Sequence, residues 1–190
     1  MAPNRRLVVP AIAVWLAVGC GAELSPSVPA QAFPDMRAGK TAPLDLETLA
    51  QDAVEPMTLR TLLDRARFAA ATERTFVGGE GIRSVTARIV VFSYEAGARQ
   101  YLEWLDTHAG DLLGAAKQGP TIALSDGGSA FSYTAAPGGC CAKATTTSLA
   151  AWRRGRRVLT VLAAGADAAT GIEELAWELD GAAGSGTEES

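Results

Sequence analysis

The chain has 190 residues, with 17 Lys and Arg against 21 Asp and Glu, one histidine and three cysteines. The acidic balance excludes a nucleic-acid binder, which needs a basic face to neutralise phosphates. Three cysteines exclude the disulfide framework of a small secreted scaffold, and the length suits one domain with a core of its own.

At the start, Arg5 and Arg6 precede an uncharged run from Leu7 to Val18, interrupted by Pro10, which leads into Gly19-Cys20. A positive segment, a short apolar core and small residues form the layout of an export signal. The run falls short of the roughly 18 to 20 apolar residues that span a bilayer, so a permanent transmembrane helix is the poorer reading. Ala17-Val18-Gly19-Cys20 resembles the lipobox of bacterial lipoproteins, with Ala17 where leucine is commoner. The resemblance covers about the first 20 residues. It implies a signal peptide over residues 1–19 and a mature N-terminus at Cys20 carrying several acyl chains, palmitate among them, which together suffice for stable anchoring. Such a protein works at the outer, extracytoplasmic face of the cytoplasmic membrane, in the cell envelope. Asn4-Arg5-Arg6-Leu7 also fits a relaxed twin-arginine pattern, leaving two export routes open.

Residues 20–43 contain Pro26, Pro29, Pro34 and Pro43 and no apolar period. Proline removes a backbone donor and disfavours helix in its predecessor, so this stretch is expected to be the lipid attachment and an extended tether. A single globular domain is expected over residues 44–181. Leu46, Leu49, Ala50 and Ala53 have helical spacing behind Asp45 as N-cap, and Pro56 is expected to end that helix. A second helix is expected from Thr58, with Leu59, Leu62, Leu63 and Ala66 on its apolar face.

Glu73 to Val77 reads as a strand and Gly78-Gly79-Glu80-Gly81 as a turn. Arg83 to Ser93 first alternates and then becomes apolar on both faces, the mark of a strand in mid-sheet. Ser93 is the expected cap of a long helix with Ala98, Tyr101, Leu102, Leu105, Ala109, Leu112 and Ala116 in one stripe. Two hairpins are expected next: Thr121–Ser125 with Ser129–Thr134, and Ala144–Trp152 with Val158–Ala163, the latter turning at Gly155. Thr170 and Glu173 suggest a capping box for a final helix, and residues 182–190 a disordered tail. This order predicts an α+β fold: a mainly antiparallel sheet with helices packed on one face.

Chemistry-bearing residues are few. His108 lies beside the apolar stripe and reads as a core-edge histidine. Gly127-Gly128-Ser129-Ala130-Phe131 misses the second glycine of a nucleophile elbow, and Gly79, Gly81 and Ser84 miss a dinucleotide loop. No catalytic residue, metal ligand or cofactor is expected. Adjacent Cys140 and Cys141 follow Gly138-Gly139 in an exported chain and could close a strained, reducible ring. Arg153, Arg154, Arg156 and Arg157 crowd a hairpin tip that could meet an anionic surface. The reading is a noncatalytic extracytoplasmic module that binds a small ligand, envelope polymer or protein partner. The alternatives are a thiol redox or metal-handling protein using Cys140 and Cys141, and a hydrolase with an unrecognised site.

Overall fold

The computed structural model describes residues 26–114, 116–124, 128–135 and 145–185. Cys20, Cys140, Cys141, the signal segment, Asp126-Gly127 and residues 186–190 lie outside the described residues.

The fold is α+β. Among the described residues eight strands form one antiparallel sheet: β1 (Arg37–Leu44), β2 (Phe68–Val77), β3 (Ile82–Phe92), β4 (Lys117–Gln118), β5 (Ile122–Ala123), β6 (Ser129–Thr134), β7 (Thr146–Arg154) and β8 (Arg157–Gly165). Their spatial order is β1-β2-β3-β8-β7-β6-β4, with β5 also on β6, so β3 and β8 occupy the middle. Among the described residues four helices complete it: α1 (Leu46–Gln51), α2 (Pro56–Arg65), α3 (Glu95–Leu112) and α4 (Ala168–Ser185).

Strand alternation divides the core. On β3, Val85, Ala87 and Ile89 join one cluster with Ile172, Leu175, Ala176 and Leu179 of α4. Val90 and Phe92, of opposite parity, join a second cluster with α1, α2 and α3. Helices therefore cover both faces, and the expectation of one covered face is corrected. The cause is composition: β7 and β8 are buried nearly throughout from Ser148 to Trp152 and from Val158 to Val161, and strands apolar on both sides must be covered on both sides.

The domain also begins earlier than residue 44. Val28, Ala32 and Phe33 are fully buried, and Phe33 meets Phe76 edge-on with ring centroids 4.7 Å apart. The chain then enters β1, which pairs with β2 from Arg37↔Val77 to Leu44↔Ala71. The supposed tether over 20–43 is thus folded from Pro26 on, because Pro43 is tolerated in the edge strand β1 and Val28, Ala32 and Phe33 turn into the core.

Several helix ends differ as well. Pro56 opens α2 rather than ending α1, since a first-turn proline loses no helical hydrogen bond. Asp45 does cap α1, accepting from the Thr48 amide at 2.7 Å. The cap position of α3 is Tyr94, not Ser93, with Glu95 in its first turn. Helix α4 begins two residues before the expected Thr170 cap, whose hydroxyl donates to the Asp167 carbonyl. It also continues past residue 181, with Ala182 and Ala183 packed on the core. Gly97 lets α3 approach α2 closely: a Cβ there would lie 1.9 Å from the Ala66 carbonyl oxygen. Gly155 takes φ +54 at the β7–β8 turn, as its sequence position suggests.

Phe33→Ala is expected to destabilise the protein by about 3 to 5 kcal/mol in urea unfolding, the cost of emptying an aromatic core site. A change within about 0.5 kcal/mol, typical of exposed positions, would contradict the packing of this segment.

Candidate functional site

On the α3 side of the sheet, the residues directly opposite one another form two rows. The first runs Glu73, Arg88, Thr160, Ala151 across β2, β3, β8 and β7; the second runs Thr75, Thr86, Leu162, Leu149. Helix α3 crosses above them with Tyr101, Leu105 and Leu112. Between helix and sheet lies a cavity of about 380 Å³, with Leu113 and Asp52 also at its wall.

The polar end is organised by Arg88. Its Nη2 donates to Glu73 Oε2 at 2.6 Å and to Asp52 Oδ2 at 2.6 Å, and its Nε donates to Glu73 Oε2 at 3.1 Å. Burial would lower the Arg88 pKa, but neighbouring Tyr101, Glu73 and Asp52 outweigh it and the shift is upward, so the guanidinium stays charged. One cation and two carboxylates leave this end net negative. Tyr101 is fully buried, and burial pushes its phenol up to about 12 although Arg88 pulls the other way. It remains a neutral hydrogen-bond donor. Thr160 adds a nearly buried hydroxyl. The opposite end is a wall of leucines, among them Leu162, which is 37% exposed. The arrangement is amphipathic and largely preformed, within the usual size range of small-molecule sites, about 300 to 1,000 Å³.

A second, more open groove of about 910 Å³ separates α2 from α3, lined by Met57, Leu62, Arg65, Trp104 and His108 among others. His108 is tied into its own helix, with Nδ1 2.8 Å from the Trp104 carbonyl oxygen and its ring stacked on Trp104 at 4.5 Å. That matches the reading of His108 as a core-edge residue. Among the described residues, no group of three His, Cys, Asp or Glu could hold a metal.

The four arginines of the hairpin tip do not act as one patch. Arg154 reaches across to α4, where its Nε donates to Asp180 Oδ1 at 2.5 Å and its Nη2 bonds Oδ2. The same buried carboxylate accepts from Trp152 Nε1 at 2.8 Å. Arg153 bonds the Gly155 carbonyl at 2.9 Å and lies 3.4 Å from Glu95. Arg156 is exposed, and half-buried Arg157 turns to the α4 side of the sheet. The tip thus does not hold all four together as expected: Arg154 and Arg157, directly opposite each other, share the α4 side, Arg153 turns toward α3, and carboxylates from α3 and α4 take up two of the charges.

Sequence reading missed Arg88, Glu73, Asp52, Tyr101 and Thr160 as a set. The available signal was the polar half of β3, Ser84-Thr86-Arg88, which looks like a solvent face until α3 is laid over it.

No family model matches the chain, and no curated protein matches it. Among solved structures it resembles the extracellular domain of PknH from Mycobacterium tuberculosis, with 13% identity, a TM-score of 0.52, and coverage of 80% of this chain and 88% of that one. At that identity the likeness is one of fold.

The phenol of Tyr101 is expected to ionise near pH 12, and Tyr101→Phe to remove that step from an alkaline absorbance titration. A folded-state pKa above the ordinary 10.0 means that this group's contribution to stability is complete below pH 10 and is lost as pH rises toward 12. Ionisation of Tyr101 near 10 in the folded protein would contradict its burial.

Proposed function

We propose that the protein is a noncatalytic binding module, tethered through lipid on Cys20 at the outer face of the cytoplasmic membrane, whose ligand seat is the cavity between α3 and the sheet. The observation that carries this reading is the polar cluster of Glu73, Arg88 and Asp52 facing a leucine wall within one concave space. The fold shared with an extracellular domain supports the extracytoplasmic placement, and the export signal and lipobox-like segment support the anchor. The engagement of the lone histidine in a helix-internal stack favours binding over hydrolysis.

The chemistry of the walls defines the ligand class. An anionic head would meet two carboxylates already sharing Arg88, whereas a hydroxylated or cationic head can use them as acceptors while Tyr101 and Thr160 supply donors. The apolar body of the ligand would lie along Leu105, Leu112, Leu149 and Leu162. The fit is to a small amphiphile with a neutral or cationic head.

Uptake of the neutral fluorophore N-phenyl-1-naphthylamine provides the test. Wild type is expected to bind it and to release it to neutral amphiphiles, whereas Leu162→Arg, at a partly exposed position, is expected to lose at least about tenfold in affinity, roughly 1.4 kcal/mol, with the fold intact. Equal uptake by both proteins would place the seat elsewhere.

A further inference from the structure

On the opposite side of the sheet, the first described residues of the domain, Pro26 to Gln31, line a cavity of about 420 Å³ together with Arg74, Ile89, Arg157 and Ala182. Arg74 comes from β2 and Arg157 from β8, and both project to the α4 side of the sheet, the side of Ile89. Arg74 is oriented by Thr41 of β1, whose Oγ1 accepts from Nε at 3.0 Å. Among the described residues neither arginine forms an ion pair, unlike Arg88, Arg153 and Arg154. The last turns of α4 bring the negative end of its dipole to the same place. That is equivalent to about half a charge, too little to neutralise two cations.

The position of this cavity relative to a lipid anchor is limited by chain length. From Cys20 to Pro26 there are six residue steps, and a fully extended chain spans about 3.3 to 3.6 Å per residue, so the cavity lies within about 20 Å of the acylated residue. A tether of 24 residues would let any face of the domain approach the bilayer. Six steps hold the side carrying Pro26, Arg74 and Arg157 toward it, with exposed Arg156 of the hairpin tip close by. Charges separated by about a Debye length, about 10 Å at 0.1 M salt, still interact.

We propose that this cavity is a headgroup site: the phosphate of an anionic phospholipid in the anchoring leaflet sits between Arg74 and Arg157 and fixes the orientation of the domain on the membrane. This rests on lipid attachment at Cys20, and it is distinct from the ligand seat under α3. With the headgroup in place, the sheet separates the two sites, leaving the α3 side turned away from the bilayer and open to ligand.

The test uses the mature-length protein, residues 20–190 with Cys20→Ser, sedimented with vesicles of phosphatidylcholine alone or with roughly 30% phosphatidylglycerol. Wild type is expected to bind the anionic vesicles and to be released by salt. The double change Arg74→Gln and Arg157→Gln should weaken binding about 30-fold, which corresponds to about 1 kcal/mol for each basic residue at an anionic surface. Lysine at both positions should retain most of the binding, and thermal melting confirms that each variant folds. Arg60→Gln combined with Arg65→Gln, both on α2 across the sheet, removes the same two charges and should change binding by less than about twofold, since surface electrostatics act locally. Undiminished binding by the double glutamine variant overturns the proposal, as does absence of wild-type binding. Binding only after removal of residues 186–190 overturns it too, because the cavity would then belong to the chain's own Glu188 and Glu189. The anchor is read separately: a fatty-acid probe in cells should label wild type but not Cys20→Ala. Failure there removes the anchor without changing the vesicle result.

Discussion

The guanidinium of Arg88 is the constraint around which the α3 side of the molecule is arranged. It sits in β3, one of the two central strands of the sheet, beneath a long helix, where a lone charge would carry a heavy desolvation cost. Glu73 on the adjacent strand and Asp52 just beyond α1 meet it at 2.6 Å, so the charge is paired. A pair of carboxylates cannot in turn be sealed under a leucine helix, because their remaining lone pairs need partners or water. The helix therefore packs closely at one end, where Phe92 and Tyr101 rings lie 5.5 Å apart, and leaves a cavity over Thr86, Arg88 and Leu162. The same ion cluster that keeps the site open gives it its polarity.

The other side of the sheet is closed by a different charge. Asp180 is almost completely buried on α4 and accepts from both Trp152 and Arg154, which bonds the helix to β7 at two points. Removing the carboxylate would strand a buried indole N–H and a guanidinium at once. This contact holds α4 flat on the sheet, and with it the helix end beside Arg74 and Arg157. One buried ion cluster thus opens a face, and another fastens the opposite one.

Much of the central framework was legible in the sequence because periodicity reports burial directly. The alternation of Val85, Ala87 and Ile89, the apolar stripe of α3 and the glycine turn at Gly155 all predicted their elements. Segments stabilised by partners chosen elsewhere in the chain were not legible. Strand β1, Arg-Ala-Gly-Lys-Thr-Ala-Pro-Leu, is mostly exposed and has no period, and its hydrogen bonds come from β2. Val28 and Phe33 are isolated apolar residues among prolines, and only the tertiary fold brings them to Phe76. Ala182 and Ala183 bury too little bulk to distinguish a helix end from a tail. The fully apolar runs of β7 and β8 did carry the signal of two covered faces, but the order of helices along the chain suggested only one. The site stayed hidden for a related reason: its members come from β2, β3, β8, α3 and the end of α1, and no two carry a motif.

The cavity under α3 is the proposed seat of ligand. Hydrogen–deuterium exchange with and without N-phenyl-1-naphthylamine tests it most directly, because burial by a ligand slows local opening. Protection is predicted in the segments 84–90, 109–113 and 158–163, which border the cavity. Protection confined to 57–65, on the α2 wall of the groove between α2 and α3, would contradict it.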